Sequence, residues 1–261
     1  MNTDLKCLQI ETTNLCNAKC IFCVHNKLKE FGTMSDELFK KIITDAKEID
    51  TLDRIVPMLT GEPLMDEKII ERLELINEIL PKTEINLYTN CSLLDEKKIK
   101  QLSEIKNLIM FFSLNGATKE RRKELMGLDD FDHAVKMIRL YETYKKPFFV
   151  MFVMFPAITG GEINLFDITW KEHKWFIPFA NFAGEKYEGL GKTNCFRAIS
   201  DMTVLWNGKV NLCCMDAFGK IFGDLNKQTV KEVWFSKERQ EYAQAHYYNQ
   251  GKTLKPCDKC T

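Results

Sequence analysis

Two rhythms alternate along the first two thirds of the chain. Short runs in which apolar and polar residues take turns predict strands, and longer runs with apolar residues at every third or fourth position predict helices. Residues 5–12 (LKCLQIET) follow the first rhythm. Residues 35–49 (SDELFKKIITDAKEI) follow the second, with Ser35 as N-cap and Leu38, Ile42, Ile43, Ala46 and Ile49 on one face. The pair recurs as 54–59 with 66–80, as 84–89 with 95–105 and as 107–114 with 129–144. A fifth strand, 147–155 (PFFVMFVMF), has too little polarity to face water, and 164–176 followed by 177–182 supplies a sixth unit. Strands separated by helices imply parallel neighbours with right-handed crossovers, so the expected class is α/β and the expected architecture a partial (β/α)6 TIM-like barrel.

The rhythm changes near residue 185. Residues 202–214 (MTVLWNGKVNLCC) predict two short strands around Asn207-Gly208, a two-residue hairpin signal, and 229–249 predict one late amphipathic helix. The expected division is a barrel over 1–185 and a small β-hairpin plus helix module over 186–261. No internal repeat accompanies the β-α rhythm.

Composition narrows the function. The 261 residues are 45% hydrophobic and 28% charged, as in a globular protein with a large core. Lys plus Arg and Asp plus Glu both number 37, so there is no basic footprint for nucleic acid. The N-terminus lacks a secretory signal and no apolar run reaches the roughly 18 residues of a membrane span. A cytoplasmic protein with neither nucleic-acid nor membrane partners is expected. In a reducing compartment its ten cysteines, gathered near the two ends of the chain, point to metal or cluster ligation and not to disulfides.

Cys16, Cys20 and Cys23 form a Cys-x3-Cys-x2-Cys run just past the first strand, at the end of a β/α barrel that carries the chemistry. Three thiolates leave a tetrahedral zinc, or one iron of a cubane, short of a fourth ligand. Either His25 completes a structural Cys3His zinc site, at an unusually short spacing, or a 4Fe-4S cluster keeps one iron open.

This run, with Phe22 before its third cysteine, resembles the signature of the radical S-adenosylmethionine (radical SAM) enzymes, in which the open iron is chelated by the amino and carboxylate groups of S-adenosyl-L-methionine. Thr60, Gly61, Glu62 and Pro63, after the second strand, are similar to the family's Gly-Gly-Glu-Pro segment that receives the methionine amine, with threonine for the first glycine. Asn90 lies in YTNCSLL, which resembles the Thr-Asn-Gly turn with Cys91 for glycine. Ser113 and Asn115 lie in FFSLNGAT, which resembles the Ser-x-Asp-Gly segment near the ribose with Asn115 for aspartate. Taken alone, the Gly-Glu-Pro and the Ser113 and Asn115 positions are ordinary turn formers.

Cys195, Gly208 and Cys213, with Cys257-x2-Cys260 at the end of the sequence, resemble a shortened SPASM domain, the "twitch" variant. That resemblance implies a second, auxiliary 4Fe-4S cluster closed by four thiolates; a zinc ribbon is the other reading of the same four cysteines. Cys7, Cys91 and Cys214 are left over. Each is either a buried small hydrophobe or, for Cys91 and Cys214, a hydrogen-atom donor. Glu11, at the end of the first strand, is a candidate to meet a substrate hydroxyl.

The family chemistry implies an electron from a donor such as flavodoxin or ferredoxin, a 5'-deoxyadenosyl radical, and abstraction of hydrogen from a small-molecule substrate. A closed auxiliary cluster favours an oxidoreductase, as in the twitch-bearing aminocyclitol dehydrogenases, acting on a polyhydroxylated or amino-sugar/cyclitol substrate. A thiol donor would instead make an epimerase. Peptide modification is a third enzymatic reading, disfavoured because no leader-gripping segment precedes the first strand. A zinc-binding interaction protein is the non-enzymatic reading.

Overall fold

The computed structural model describes residues 3–156 and 158–260. Six parallel strands come first: β1 (Cys7–Ile10), β2 (Arg54–Val56), β3 (Glu84–Thr89), β4 (Leu108–Ser113), β5 (Phe148–Met154) and β6 (Lys174–Pro178). Between them run α1 (Asp36–Ala46), α2 (Ile69–Ile79), α3 (Glu96–Glu104), α4 (Lys119–Met126), α5 (Phe131–Glu142) and α6 (Gly160–Trp170). The later part of the chain adds α7 (Phe196–Ser200), β7 (Asp201–Val204), β8 (Lys209–Asn211), β9 (Ile221–Asp224), α8 (Val230–Trp234) and α9 (Lys237–Tyr247).

The strand order is β6-β5-β4-β3-β2-β1-β7-β8-β9, a nine-stranded sheet that curls as an open, TIM-like barrel and is not closed. β7 lies parallel to β1, with Cys7 opposite Asp201 and Ile10 opposite Val204, and β8 and β9 follow antiparallel. The hairpin module therefore extends the barrel's own sheet.

Period-two alternation fixes which side chains meet the helices. Leu8, Ile10, Ile55, Ile85, Leu87, Met110, Phe112, Val150, Phe152, Met202 and Val204 are all fully buried in one core under the helices. The intervening positions, among them Cys7, Tyr88, Phe111 and Phe149, form the other face. That alternation corrects the expectation for β5: Phe148, Val150 and Phe152 are buried, whereas Phe149 is 37% exposed and Met151 and Val153 are half-buried, because the open sheet leaves one face of this apolar strand less covered.

Capping explains most helix boundaries. The Ser35 hydroxyl accepts the Leu38 N–H at 3.2 Å to start α1, and the Asp95 carboxylate accepts the Lys98 N–H at 2.7 Å to start α3. The single late helix expected over 229–249 is two helices. Ser236 becomes a fresh N-cap, accepting the Arg239 N–H at 3.4 Å, and breaks the run between Trp234 and Lys237. The sixth unit is also shifted: α6 ends at Trp170, and the strand begins at Lys174.

Helix α4 and strand β9 have no counterpart in the periodic reading. The α4 sequence KERRKELM is almost wholly polar, so it carries no apolar stripe; its signal lay in its caps, Thr118 before it and Gly127, at φ 69°, after it. The Asn207-Gly208 hairpin likewise closes differently from a two-residue loop. Gly208 alone is left-handed, at φ 85°, and its N–H donates to Leu205 O at 2.8 Å across a four-residue turn. Among the described residues no helix is long and apolar enough to cross a membrane.

Trp234 pins the module to the start of the chain: its ring is fully buried and its indole N–H donates to Thr3 O at 2.8 Å. Trp234→Ala is expected to destabilise the fold by about 3–5 kcal/mol, read as a lowered denaturant midpoint.

Candidate functional site

The loop after β1 carries Cys16, Cys20 and Cys23 and is held from beneath by α4. The Lys19 N–H donates to Met126 O at 2.8 Å and the Ile21 N–H to Leu125 O at 2.9 Å, so carbonyls left free at the end of α4 are satisfied by the loop. Phe22, Cys16 and Cys20 pack on Ala18, Leu125, Met126 and Leu128, an apolar shell around the thiols. Burial lifts the Cys16 thiol to about 11 and also raises Cys20 and Cys23, with neighbouring thiols opposing ionisation of Cys16 and Cys20 as well. Three such groups become thiolates together only around a strong positive centre, which is what iron supplies.

The same geometry decides against His25 as the fourth ligand. Its Nε2 lies 2.8 Å from Asn14 O, and its ring is tilted against Phe31 at 5.6 Å. Among the described residues no three His, Cys, Asp or Glu side chains converge tightly enough to share one metal ion. Zinc needs four donors at about 2.0–2.3 Å around one point. A cubane takes its thiolates on separate irons, so it accepts thiols spaced further apart.

The Thr60-Gly61-Glu62-Pro63 segment docks directly on this loop. A Cβ on Gly61 would sit 2.3 Å from Thr13 O, so only glycine permits the approach. The Glu62 N–H then donates to Leu15 O at 2.8 Å, one residue before Cys16. The Glu62 carboxylate accepts from Leu64 N–H at 3.1 Å, Thr89 Oγ1 at 2.7 Å and Asn90 N–H at 2.7 Å, and Pro63 opens the short 3-10 turn Pro63–Met65. Burial, acting against those hydrogen bonds, lifts Glu62 to about 7. Asn90 Nδ2 reaches Asn17 Oδ1 at 2.7 Å, so the loops after β1, β2 and β3 form one network.

Ser113 and Asn115 sit at the end of β4. The Ser113 hydroxyl lies 3.8 Å from Met151 Sδ, and Asn115, left-handed at φ 53°, accepts the Val153 N–H at 3.1 Å, which commits its carbonyl oxygen to β5.

Glu11 and Cys91, two of the expected catalytic residues, both have protein partners. Glu11 Oε1 accepts from the Thr60 N–H at 3.2 Å and from the Thr60 hydroxyl, and Oε2 accepts the Trp206 N–H at 3.3 Å. Both oxygens thus tie β1 to the loop after β2 and to the hairpin turn. Cys91 has no exposure, lies in the core under the helices, and points its thiol towards Thr89 O at 3.7 Å; burial raises its pKa strongly. It occupies a left-handed position, φ 71°, that glycine would take without strain.

Arg122, on α4, went unnoticed in the sequence because it lies in a basic, surface-like run. It is fully buried and clamps the turns after β3 and β4: Nη2 donates to Asn90 O at 2.6 Å, Nη1 to Leu114 O at 3.1 Å, and Nε to Asp130 Oδ1 at 2.7 Å.

The second set of thiols comes from three places. Cys195 is the N-cap of α7, Cys213 follows β8, and Cys257 and Cys260 flank the short turn Cys257–Lys259. Cys213 and Cys257 pack in one cluster with Leu212, Phe222 and Tyr242. Burial raises Cys213 well above the usual thiol range and Cys257 to about 12; Cys195 adds to both and Cys260 to Cys257, so the four lie within electrostatic reach. Cys214 lies within electrostatic reach of the same set. Burial lifts it to about 11; Arg197 on α7 opposes that, Asp201, Cys7 and Cys195 add to it, and Cys214 in turn raises Cys213.

Gly61→Ala is expected to displace the first cysteine loop and weaken S-adenosylmethionine binding at least about tenfold, roughly 1.4 kcal/mol, measured by calorimetry on the reconstituted protein. Cys91→Ala is expected to cost about 1 kcal/mol of stability and leave 5'-deoxyadenosine formation unchanged.

Residues 10–167 match the radical SAM superfamily, and residues 195–261 match an iron-sulfur cluster-binding domain, SPASM. A cysteine-type anaerobic sulfatase-maturating enzyme of Clostridium perfringens is 29% identical over 194 residues, 69% of this chain and 52% of its own. An S-adenosyl-L-methionine-dependent 2-deoxy-scyllo-inosamine dehydrogenase of Niallia circulans is 29% identical over 100 residues, 38% of this chain and 40% of its own. The chain thus spans about half the length, or less, of these relatives. In fold, it superposes on BtrN in complex with AdoMet and 2-DOIA with a TM-score of 0.67 at 16% identity, covering 100% of this chain and 94% of that one. It superposes on anSMEcpe with bound AdoMet with a TM-score of 0.73 at 19% identity, covering 90% and 82%. A family match over most of the barrel agrees with the buried thiol loop and the glycine-dependent docking beside it: the chain belongs to the radical SAM superfamily, enzymes that use S-adenosylmethionine and a 4Fe-4S cluster.

Proposed function

We propose that this radical SAM enzyme is an oxidoreductase acting on a small polyhydroxylated or amino-sugar/cyclitol substrate, with a barrel to about residue 185 and an auxiliary-cluster module after it. The observation that carries the reading is the gathering of Cys195, Cys213, Cys257 and Cys260, four thiols that leave a cubane no open position. When bound, S-adenosylmethionine at a cluster held by Cys16, Cys20 and Cys23 would supply the radical chemistry that removes a hydrogen atom from substrate, and an auxiliary cluster held by Cys195, Cys213, Cys257 and Cys260 would supply an acceptor for one electron.

The chain's own residues bind and orient. Cys16, Cys20 and Cys23 hold the first cluster, with Phe22 excluding water from it. Thr60, Gly61, Glu62 and Pro63 receive the methionine end, and Asn90, Ser113 and Asn115 border the nucleoside. Tyr88, Phe111, Phe149 and Trp175 form an aromatic row, with Phe111 centred 4.4 Å from Tyr88, 5.3 Å from Phe149 and 5.1 Å from Trp175. That row, on the sheet face opposite the helices, supports a compact ring-shaped substrate with apolar faces and polar edges. Flavodoxin or ferredoxin is the expected class of electron donor, and the cytoplasm the expected location.

Cys214 favours a second reading. Its thiol is not among the four proposed ligands and lies within electrostatic reach of Arg197, Asp201, Cys7 and Cys195; there it would return a hydrogen atom and make the enzyme an epimerase.

Anaerobic reconstitution is expected to yield about eight irons per chain in the parent and about four in Cys257→Ala. Four in the parent, or stoichiometric zinc without sulfide, overturns the reading. In heavy water, an oxidised product without solvent deuterium on carbon is expected; deuterium retained there, and abolished by Cys214→Ala, assigns the epimerase instead.

A further inference from the structure

Helix α9 turns two basic side chains, Arg239 and His246, into the interior seven residues apart, and both are fully buried. Residues at that spacing share one helix face.

Arg239 is a buried cation for which the described residues supply no ion pair. Its Nη1 donates to Ala198 O at 2.8 Å and Nη2 to Asp201 O at 2.9 Å, its guanidinium lies 4.4 Å over the Trp234 ring, and its Nε has no hydrogen-bond partner among the described residues. The groups that favour its charge are the Cys213 thiol, Asp201 and the Cys257 thiol, while burial opposes it. An ionised side chain this deep is costly without a nearby anion. A cubane ligated by Cys195, Cys213, Cys257 and Cys260 would carry net negative charge, and two of those thiols are already within electrostatic reach of Arg239.

His246 meets the same site through a hydrogen bond. Its Nε2 is 3.2 Å from Cys257 Sγ, and its Nδ1 has no partner among the described residues. With Cys257 ligating a cluster its sulfur only accepts, so His246 would meet it through an Nε2–H. Gly251 makes the placement possible: a Cβ there would sit 2.0 Å from His246 Nδ1 and Cε1.

We infer that Arg239 and His246 are positioning residues for the auxiliary cluster, one by charge and one by an N–H···S bond, and that together they raise its reduction potential so that it takes the electron released by the substrate radical. The inference rests on the proposed reading of Cys257 as a ligand. In the step concerned the substrate radical would give one proton to solvent water and one electron to the cluster, which is thereby reduced by one electron. Reduction adds negative charge to the cluster, and both contacts stabilise that form over the oxidised one.

The test is a potentiometric titration of the reconstituted full chain followed by electron paramagnetic resonance. The two clusters are told apart by the response of one signal to S-adenosylmethionine. His246→Leu is expected to shift the auxiliary midpoint to more negative potential and leave the other cluster's midpoint in place, with His246→Gln restoring part of the shift through its amide N–H. Gly251→Ala, which pushes the ring away without removing it, is expected to shift the same midpoint in the same direction. Arg239→Lys is expected to stay closer to the parent than Arg239→Gln. An auxiliary midpoint unmoved in both His246→Leu and Gly251→Ala at about eight irons per chain, or both clusters moving together, overturns the inference alone. About four irons in the parent overturns the two-cluster reading and the inference with it.

Discussion

The buried carboxylate of Glu62 is the interaction on which the barrel mouth depends. Its backbone N–H holds Leu15, beside the first ligand cysteine, while its two oxygens hold Thr89 and Asn90 at the end of β3. Asn90 passes the connection back to Asn17 in the cysteine loop and, through its carbonyl, on to Arg122 in α4. Three loops that leave three different strands are thereby fixed relative to one another without a metal. A carboxylate is suited to this because it accepts several hydrogen bonds at once. Its isolation from water, which lifts it to about 7, is what makes each of those bonds hard to replace.

From that centre the arrangement extends outward in two directions. Towards α4, a polar helix with a buried arginine supports the thiol loop from below, and its C-terminal carbonyls accept the loop's own N–H groups. Towards β7, Glu11 links the mouth to the hairpin turn through Trp206. Because β7 pairs with β1 and β8 with β7, the strand before the Cys16 loop and the strand before Cys213 belong to one continuous sheet.

The two thiol groups are seated differently. Both sets sit against apolar side chains with a buried arginine within electrostatic reach, Arg122 for Cys20 and Arg239 for Cys213 and Cys257. Among the described residues only the second set adds a buried histidine, His246, in contact with a thiol. A histidine ring contact at one site with none at the other is a physical means of giving two iron-sulfur centres different affinities for an electron.

The strand and helix periods, the serine and aspartate caps, the glycine of the docking turn and the cysteine spacings are local patterns, so the β-α alternation, the open-barrel class and the two cysteine sets could be read before any coordinates. α4 was hidden because its role is to hold backbone and not to bury a stripe, so it lacks the periodic signal. Ser236 split the last helix because a side-chain cap there outcompeted an amphipathic run. Whether Glu11 and Cys91 faced substrate or protein depended on partners far along the chain, Trp206 for one and the helix-side core for the other. The neighbours of Arg239 and His246 were likewise invisible in a helix that reads as an ordinary polar segment. Residue type and spacing determined which chemistry this protein carries; packing between distant segments decided which of those residues are free to perform it, because burial and hydrogen-bond partners are set by the whole fold.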